Sequence, residues 1–227
     1  METKLSNRLK AVASFVMNGA RLADIGSDHA YLPLYLVEKQ RIDYAVAGEV
    51  VVGPYQSALL HVEKAGKANC IDVRLANGLA AIEEGDNITT VTIAGMGGRL
   101  IRDILDEGID KLAGVERLIL QPNNREKLVR QWLQDNGFSL IAETILEENQ
   151  KIYEVLVAER GRSTLSISEL QFGPFLLANP TEVFRKKWFK ELDTLTKAYQ
   201  QIPLQKELER SILKEKMKRI EEVLHVS

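Results

Sequence analysis

At 227 residues, with 45% apolar and 27% charged side chains and a net charge of −2, the chain has the size of one or two globular domains. Its composition excludes a disordered, collagenous or low-complexity protein. The single cysteine, Cys70, cannot form an internal disulfide, and three histidines beside it leave no structural zinc cage. No apolar run is long enough for a membrane helix, and the opening METKLSNRLK has no signal-peptide core, so a cytoplasmic protein is expected. The charge is unevenly spread. Residues 1–160 hold 18 Lys+Arg against 23 Asp+Glu, a net −5, while residues 161–227 hold 12 against 9, a net +3. An acidic body with a basic tail points toward a nucleic-acid partner.

In chain order, Leu5, Leu9, Val12 and Val16 predict a helix over 5–18, and RLADI (21–25) a strand that ends at Gly26. A helix over 31–39 follows with Pro33 in its first turn, where the missing N–H costs nothing. Strands are predicted at 44–49, 71–75, 90–94 and 117–121, and helices at 53–65, 97–107 and 125–136, the last stopped by Gly137. A short helix between Asn77-Gly78 and Glu84 completes this stretch. Five strand–helix alternations predict a parallel sheet covered on both faces. Residues 139–146 and 153–158 then read as strands, with too few residues between them for a helical crossover, so an antiparallel hairpin closes the sheet. Such a hairpin is the habit of the methyltransferase variant of the Rossmann-like fold.

The composition shifts near Gly161, and FGPFLLANP (172–180) reads as a compact connector. Beyond it lie two apolar stripes: Phe184, Trp188, Leu192, Leu195 and Tyr199, then Leu204, Leu208, Ile212, Met217, Ile220 and Leu224. With Pro203 between them they predict an antiparallel helical hairpin, in which Leu208, Ile212 and Leu224 pack on the first helix. The expected division is therefore 1–160, an α/β methyltransferase-like domain, and 161–227, a connector and helical hairpin.

Ligands of an open α/β sheet bind outside the carboxyl ends of its strands. Gly26-Ser27-Asp28-His29 occupies the first such turn, and Gly26 lets backbone approach a ligand. This turn is not GxGxxG. A pyrophosphate would face the Asp28 carboxylate, whereas a cationic or zwitterionic ligand would be attracted to it. Asp28 also reads as a plain helix cap. Glu49 ends the second strand, 23 residues past Gly26, where an acid can hold both ribose hydroxyls of an adenosine, with Val50 beside it. Asn77-Gly78, an ordinary turn or an adenine reader, ends the third strand. Ala94-Gly95-Met96-Gly97-Gly98 ends the fourth, with glycines that suit a flat ligand lying on the backbone. Gln121-Pro122-Asn123-Asn124 ends the fifth and offers uncharged donors and acceptors to a base edge, or a cap to the next helix. His29, His61 and His225 lack metal-pair spacing, no Walker loop or GxSxG elbow occurs, and Cys70 reads as a buried small hydrophobe.

Taken in order, ADIGSDHAYLP (23–33), the GE–GP–QSA pattern in 48–58, RLANGL (74–79), TIAGMGG (92–98), LQPN (120–123) and FGPFL (172–176) resemble the TrmK family of bacterial tRNA adenine-22 N1-methyltransferases. The resemblance runs over nearly the whole chain. It implies a class I, S-adenosyl-L-methionine-dependent fold with a coiled-coil-like C-terminal hairpin, acting on N1 of an adenine in the tRNA D-arm region. The cofactor contacts it suggests are Gly26, Ser27, Asp28, His29, Glu49, Val50, Asn77, Gly78, Ala94, Gly95 and Met96, with Asp28 and Asn123 near the chemistry. Val50 and Val51 stand where relatives often carry a polar residue. Arg210, Lys214 and Lys218, spaced by four, are the expected tRNA-gripping face, with Lys4, Arg8 and Lys10 at the N-terminal helix as the alternative. A monomer with no obligate protein partner is the expectation. An NAD-dependent enzyme is the rival reading, opposed by the absent third glycine and by the terminal hairpin; a non-enzymatic interaction module is the other.

Overall fold

The computed structural model describes residues 3–225. After a helix α1 (Asn7–Ser14), the chain alternates β1 (Arg21–Ile25), α2 (Tyr31–Glu38), β2 (Tyr44–Glu49), α3 (Val52–Lys64) and β3 (Ile71–Leu75). It continues through β4 (Thr90–Met96), α4 (Gly98–Glu107), β5 (Arg117–Pro122) and α5 (Glu126–Asp135). The strands β6 (Phe138–Glu148) and β7 (Lys151–Arg160) follow, then α6 (Ile167–Phe172), α7 (Pro174–Ala178), α8 (Glu182–Gln201) and α9 (Glu207–His225). One seven-stranded sheet has the order β3-β2-β1-β4-β5-β7-β6. The first five strands pair in parallel, and β7 pairs antiparallel to both β5 and β6. This is the closing hairpin that the sequence predicts. Its two-residue turn, Asn149-Gln150, has positive φ at both positions, the backbone that matches the twist of flanking strands.

Period-two alternation sends successive strand residues to opposite faces. Ala23, Ile25, Val46, Val91 and Ile93 pack toward α4 and α5. Leu22, Ala45, Ala47 and Ile119 pack toward α1, α2 and α3. Helix α1 is shorter than expected: Ser6 caps its start through a bond from the Leu9 N–H, and it ends at Phe15. The region after Asn77 forms two 3-10 turns, Gly78–Ala81 and Glu84–Asp86, in place of one short helix. Arg74 holds them, donating to the Ala81 carbonyl at 2.8 Å and to both Asp86 carboxylate oxygens at 2.6 and 2.8 Å. Cys70 is half-buried at the margin of the α1–α3 core rather than enclosed.

The connector forms α6 and α7 around Gly173. A third core joins Ile145 of β6 to Phe172, Leu176, Phe184, Trp188, Ile220 and Leu224. The start of α8 thus meets the end of α9, as an antiparallel hairpin requires. The tip of that hairpin departs from expectation. Leu224 is buried, but Leu204 and Leu208 are each 75% exposed and Ile212 is 48% exposed. At this end of the hairpin Tyr199 of α8 is taken up by the Arg210 guanidinium, 4.1 Å above its ring.

Candidate active site at the carboxyl edge of the sheet

The β1–α2 turn is built around two buried carboxylates. Asp24 accepts bonds of 2.6 Å from the Ser27 and Thr92 hydroxyls, and burial raises its pKa against those bonds and the Arg8 charge. Gly26 (φ +69) and Ser27 both donate their N–H to the Gly48 carbonyl, at 2.9 and 3.2 Å. A Cβ on Gly26 would stand 2.1 Å from the Met96 methyl carbon, so the β1 turn and the β4 glycine loop meet in van der Waals contact. Asp28, His29 and Ala30 then take three successive left-handed conformations, φ 44, 69 and 60. L-residues pay roughly 1–2 kcal/mol each for that region, and such strain collects at functional sites. The cap of α2 is Ala30, with no side-chain bond. Asp28 therefore does not cap the helix, and its side chain is 80% exposed.

Glu49 is only 6% exposed, and its carboxylate accepts the Asp28 N–H at 2.6 Å, the one hydrogen bond of that side chain among the described residues. Burial raises its pKa, opposed by that bond. A buried carboxylate with no Lys or Arg ion pair among the described residues and one oxygen uncommitted is suited to a pair of ribose hydroxyls. Val50 and Val51 extend from it into solvent, and the Ala76 N–H donates to the Glu49 carbonyl at 2.8 Å. The exposed Val50 and the Asn77-Gly78 turn thus flank one edge, apolar on one side and amide on the other. That combination fits an adenine ring, so the donor set of this edge fits an adenosyl cofactor.

On the other side of Gly26 lies a residue that the sequence assigns to the alternative RNA face and not to this edge. Arg8, from α1, crosses the edge and donates to the Gln121 side-chain oxygen at 2.6 Å. The same oxygen accepts the Gly95 N–H at 3.0 Å, and Gln121 in turn donates to Asn123 at 3.1 Å. Asn123 donates to the Gly95 carbonyl at 2.7 Å, and its own N–H donates to the Met96 carbonyl at 2.7 Å. The network clamps the β4 and β5 loops together. Asn123 does not cap α5; Arg125 occupies the cap position in a left-handed conformation with no side-chain bond. Gly98 is required by close approach, since a Cβ there would lie 2.6 Å from the Asn124 carbonyl oxygen. Tyr153, at the start of β7, lies with its ring 5.7 Å from the Arg8 guanidinium. The place of Arg8 at this edge was hidden because its signal is one basic residue on a helix far away in sequence.

The expected cofactor positions from Gly26 to Met96 therefore converge on one edge with Asp28 and Asn123. Arg210, Lys214 and Lys218 lie apart from it on α9. Arg210 donates to the Tyr199 and Ile202 carbonyls at 3.2 and 2.8 Å, closing the helical hairpin, whereas Lys214 and Lys218 are exposed. Among the described residues, no cluster of His, Cys, Asp and Glu could hold a metal ion, and no helix is long and apolar enough to cross a membrane.

The family model for TrmK, tRNA (adenine(22)-N(1))-methyltransferase, matches residues 22–222. The tRNA (adenine(22)-N(1))-methyltransferase of Bacillus subtilis (strain 168) is 46% identical over 225 residues, covering 96% of this chain and 93% of the relative. A Streptococcus pneumoniae structure in complex with S-adenosyl-L-methionine superposes with a TM-score of 0.92 at 57% identity, over 98% of this chain and 100% of that one. TrmK of M. capricolum, solved with S-adenosyl-homocysteine, gives 0.89 at 29% identity over 98% of each chain. With a family match across most of its length and a near-full-length relative at this identity, the chain belongs to the TrmK family of tRNA (adenine(22)-N(1))-methyltransferases.

Proposed function

We propose that the chain transfers a methyl group from S-adenosyl-L-methionine to N1 of adenine 22 in tRNA, acting in the bacterial cytoplasm. The observation that carries this reading is the convergence of Glu49, the Gly26 turn and the Gly95–Asn123 clamp on one sheet edge, in a chain of this family. When bound, the cofactor supplies a sulfonium methyl, which the N1 lone pair takes as the S–C electron pair returns to sulfur, so the base loses no proton.

The chain's task is therefore alignment, which can supply on the order of 7 kcal/mol or more. Glu49 holds the ribose end, Val50, Asn77 and Gly78 the adenine of the cofactor, and Gly26, Ser27, His29, Ala94, Gly95 and Met96 line the path between. The exposed Asp28 carboxylate offsets the positive charge that develops on the methylated base. Asn123 fixes the Gly95–Met96 backbone against which the acceptor must lie. Residues 1–160 perform this chemistry, and 161–227, with Lys214 and Lys218 exposed, face the RNA. The reading takes the chain as a monomer acting without an obligate protein partner.

Nucleoside mass spectrometry of tRNA incubated with the protein and cofactor should show 1-methyladenosine at position 22, and none in an A22→G transcript. Asp28→Asn and Asn123→Ala should lower single-turnover rates by more than they lower cofactor affinity. Wild-type rates in both would place the reacting groups elsewhere.

A further inference from the structure

A cleft of about 750 Å³ opens beside Asn123, between the β5–α5 turn, the β6–β7 turn and α8. Its wall carries five basic and two acidic side chains. Of the five, Lys187 is bound to Glu126 and Glu154 at 2.6 and 2.7 Å, and Lys186 to Glu147 at 2.7 Å. Arg125, Lys151 and Lys190 have no carboxylate partner among the described residues, and all three are exposed. They come from three different elements, so the fold, not a helical repeat, brings them to one cleft. Three unpaired cations on the rim of a cleft repel one another, and a polyanion removes that cost.

Another part of the cleft wall has different chemistry. Tyr153 and Asn124 line it next to the exposed Asn123. Both Asn123 amide atoms are committed to Gly95 and Gln121, whereas the Asn124 side chain makes no hydrogen bond among the described residues. An aromatic ring beside a free amide, one step from the clamped glycine loop, is what an unstacked purine needs: a face to stack on and a polar group for its edge.

We infer that this cleft, not α9 alone, receives the RNA: Arg125, Lys151 and Lys190 hold phosphates of the strand that carries the target, and Tyr153 is the stacking platform for the extruded adenine. The inference rests on the activity proposed above. It also accounts for how an acidic body binds RNA: the positive charge is concentrated where the body meets the basic arm.

The test uses the full chain and unmodified tRNA. Neutralising Arg125, Lys151 and Lys190 together to Gln should raise the Kd for tRNA at least about tenfold. It should also flatten its salt dependence by up to roughly 0.7–0.9 log unit per lost contact. Tyr153→Ala should lower kcat/KM for tRNA by about fivefold to a hundredfold, the range of one lost base stack, with Tyr153→Phe near wild type. S-adenosyl-homocysteine affinity and Tm, which a merely structural role would move, should stay unchanged. Lys214→Gln with Lys218→Gln runs in parallel. If the triple variant keeps wild-type affinity and salt slope while the native chain methylates adenine 22, the cleft assignment is overturned and the activity stands. Loss in the α9 variant alone has the same meaning. If the native chain leaves adenine 22 unmethylated, both fall together.

Discussion

Glu49 ends its strand with one carboxylate oxygen already held by the Asp28 N–H at 2.6 Å, and the same bond ties it to a run of three left-handed residues. In the proposed reading, cofactor binding and the strained turn are therefore joined at one side chain. Burial pushes the Glu49 carboxyl above its ordinary value of 4.5, with the Asp28 bond opposing. Ribose hydroxyls donate to the ionised form, so affinity should be full above the raised value and fall as pH drops through it. The fall should begin at a higher pH than an ordinary glutamate would give. Calorimetry with S-adenosyl-homocysteine from about pH 8 to about pH 5 would follow it. Glu49→Gln should flatten the profile and weaken binding at neutral pH by about 1.5–3 kcal/mol for each charge-assisted bond lost. Superimposable profiles for the two proteins would remove Glu49 from the ribose site.

At the scale of elements, the joint between sheet and arm is ionic. Arg130 of α5 is fully buried, and its guanidinium donates to Glu143 of β6 at 2.7 Å and to Glu154 of β7 at 2.5 Å. Lys187 of α8 completes Glu154 at 2.7 Å and reaches Glu126 at 2.6 Å. Burial alone would raise the Glu154 carboxyl, but the Arg130 and Lys187 charges hold it below 4.5. The stability that it contributes is thus fully present above about pH 4.5 and lost as pH falls through the lower folded-state value. Burial alone would lower Lys187, but Glu154 and Glu126 carry it above 10.5. Its contribution is present below about pH 10.5 and lost as pH rises through the raised value. Glu154→Gln leaves buried cations short of a partner and should cost about 3–5 kcal/mol at pH 7, read as a lower urea midpoint. The variant's acid limb should also be shallower. An unchanged midpoint would mean that the network contributes no net stability.

These elements show what local pattern can and cannot convey. Strands with runs such as RLILQ and glycines at strand ends were legible, because buried parallel strands and ligand turns leave their mark within a few residues. The glycine-rich carboxyl edge, where the proposed cofactor site lies, was legible for the same reason. Arg8 meets Gln121 and Tyr153 only through tertiary folding, and Arg130 reads in sequence as an ordinary helical arginine. Periodicity marks Leu208 and Ile212 as part of one apolar face and so predicts that they pack. It does not reveal whether the opposite helix has a face to cover it.

At the scale of the whole molecule, the arm and the body share one core at the hairpin's base, through Ile145, Trp188 and Ile220, and share the Arg130 network. A chain ending at Arg160 would lose Lys187 and the α6 carbonyls of Leu170 and Gln171 that Arg130 bonds at 3.3 and 3.4 Å. It would bare an unbalanced set of carboxylates and the apolar side of β6. Residues 1–160 alone should therefore melt well below the full chain and fail to give a single cooperative calorimetric peak, whereas the full chain should melt in one. A truncated body with native Tm and native S-adenosyl-homocysteine affinity would show the arm to be dispensable to folding.

Such a knot of buried charge also restricts how the protein can change over evolutionary time. A sheet that binds adenosyl cofactors could in principle acquire a different arm by recombination and so a different RNA. Here a crossover between β7 and α8 would have to bring in a cation at the Lys187 position, one that fits between Glu126 and Glu154. Substitutions at Arg130, Glu143, Glu154 and Lys187 should accordingly be inherited as a set. A new RNA specificity is more accessible through the unpaired rim residues, which can vary singly without disturbing the joint.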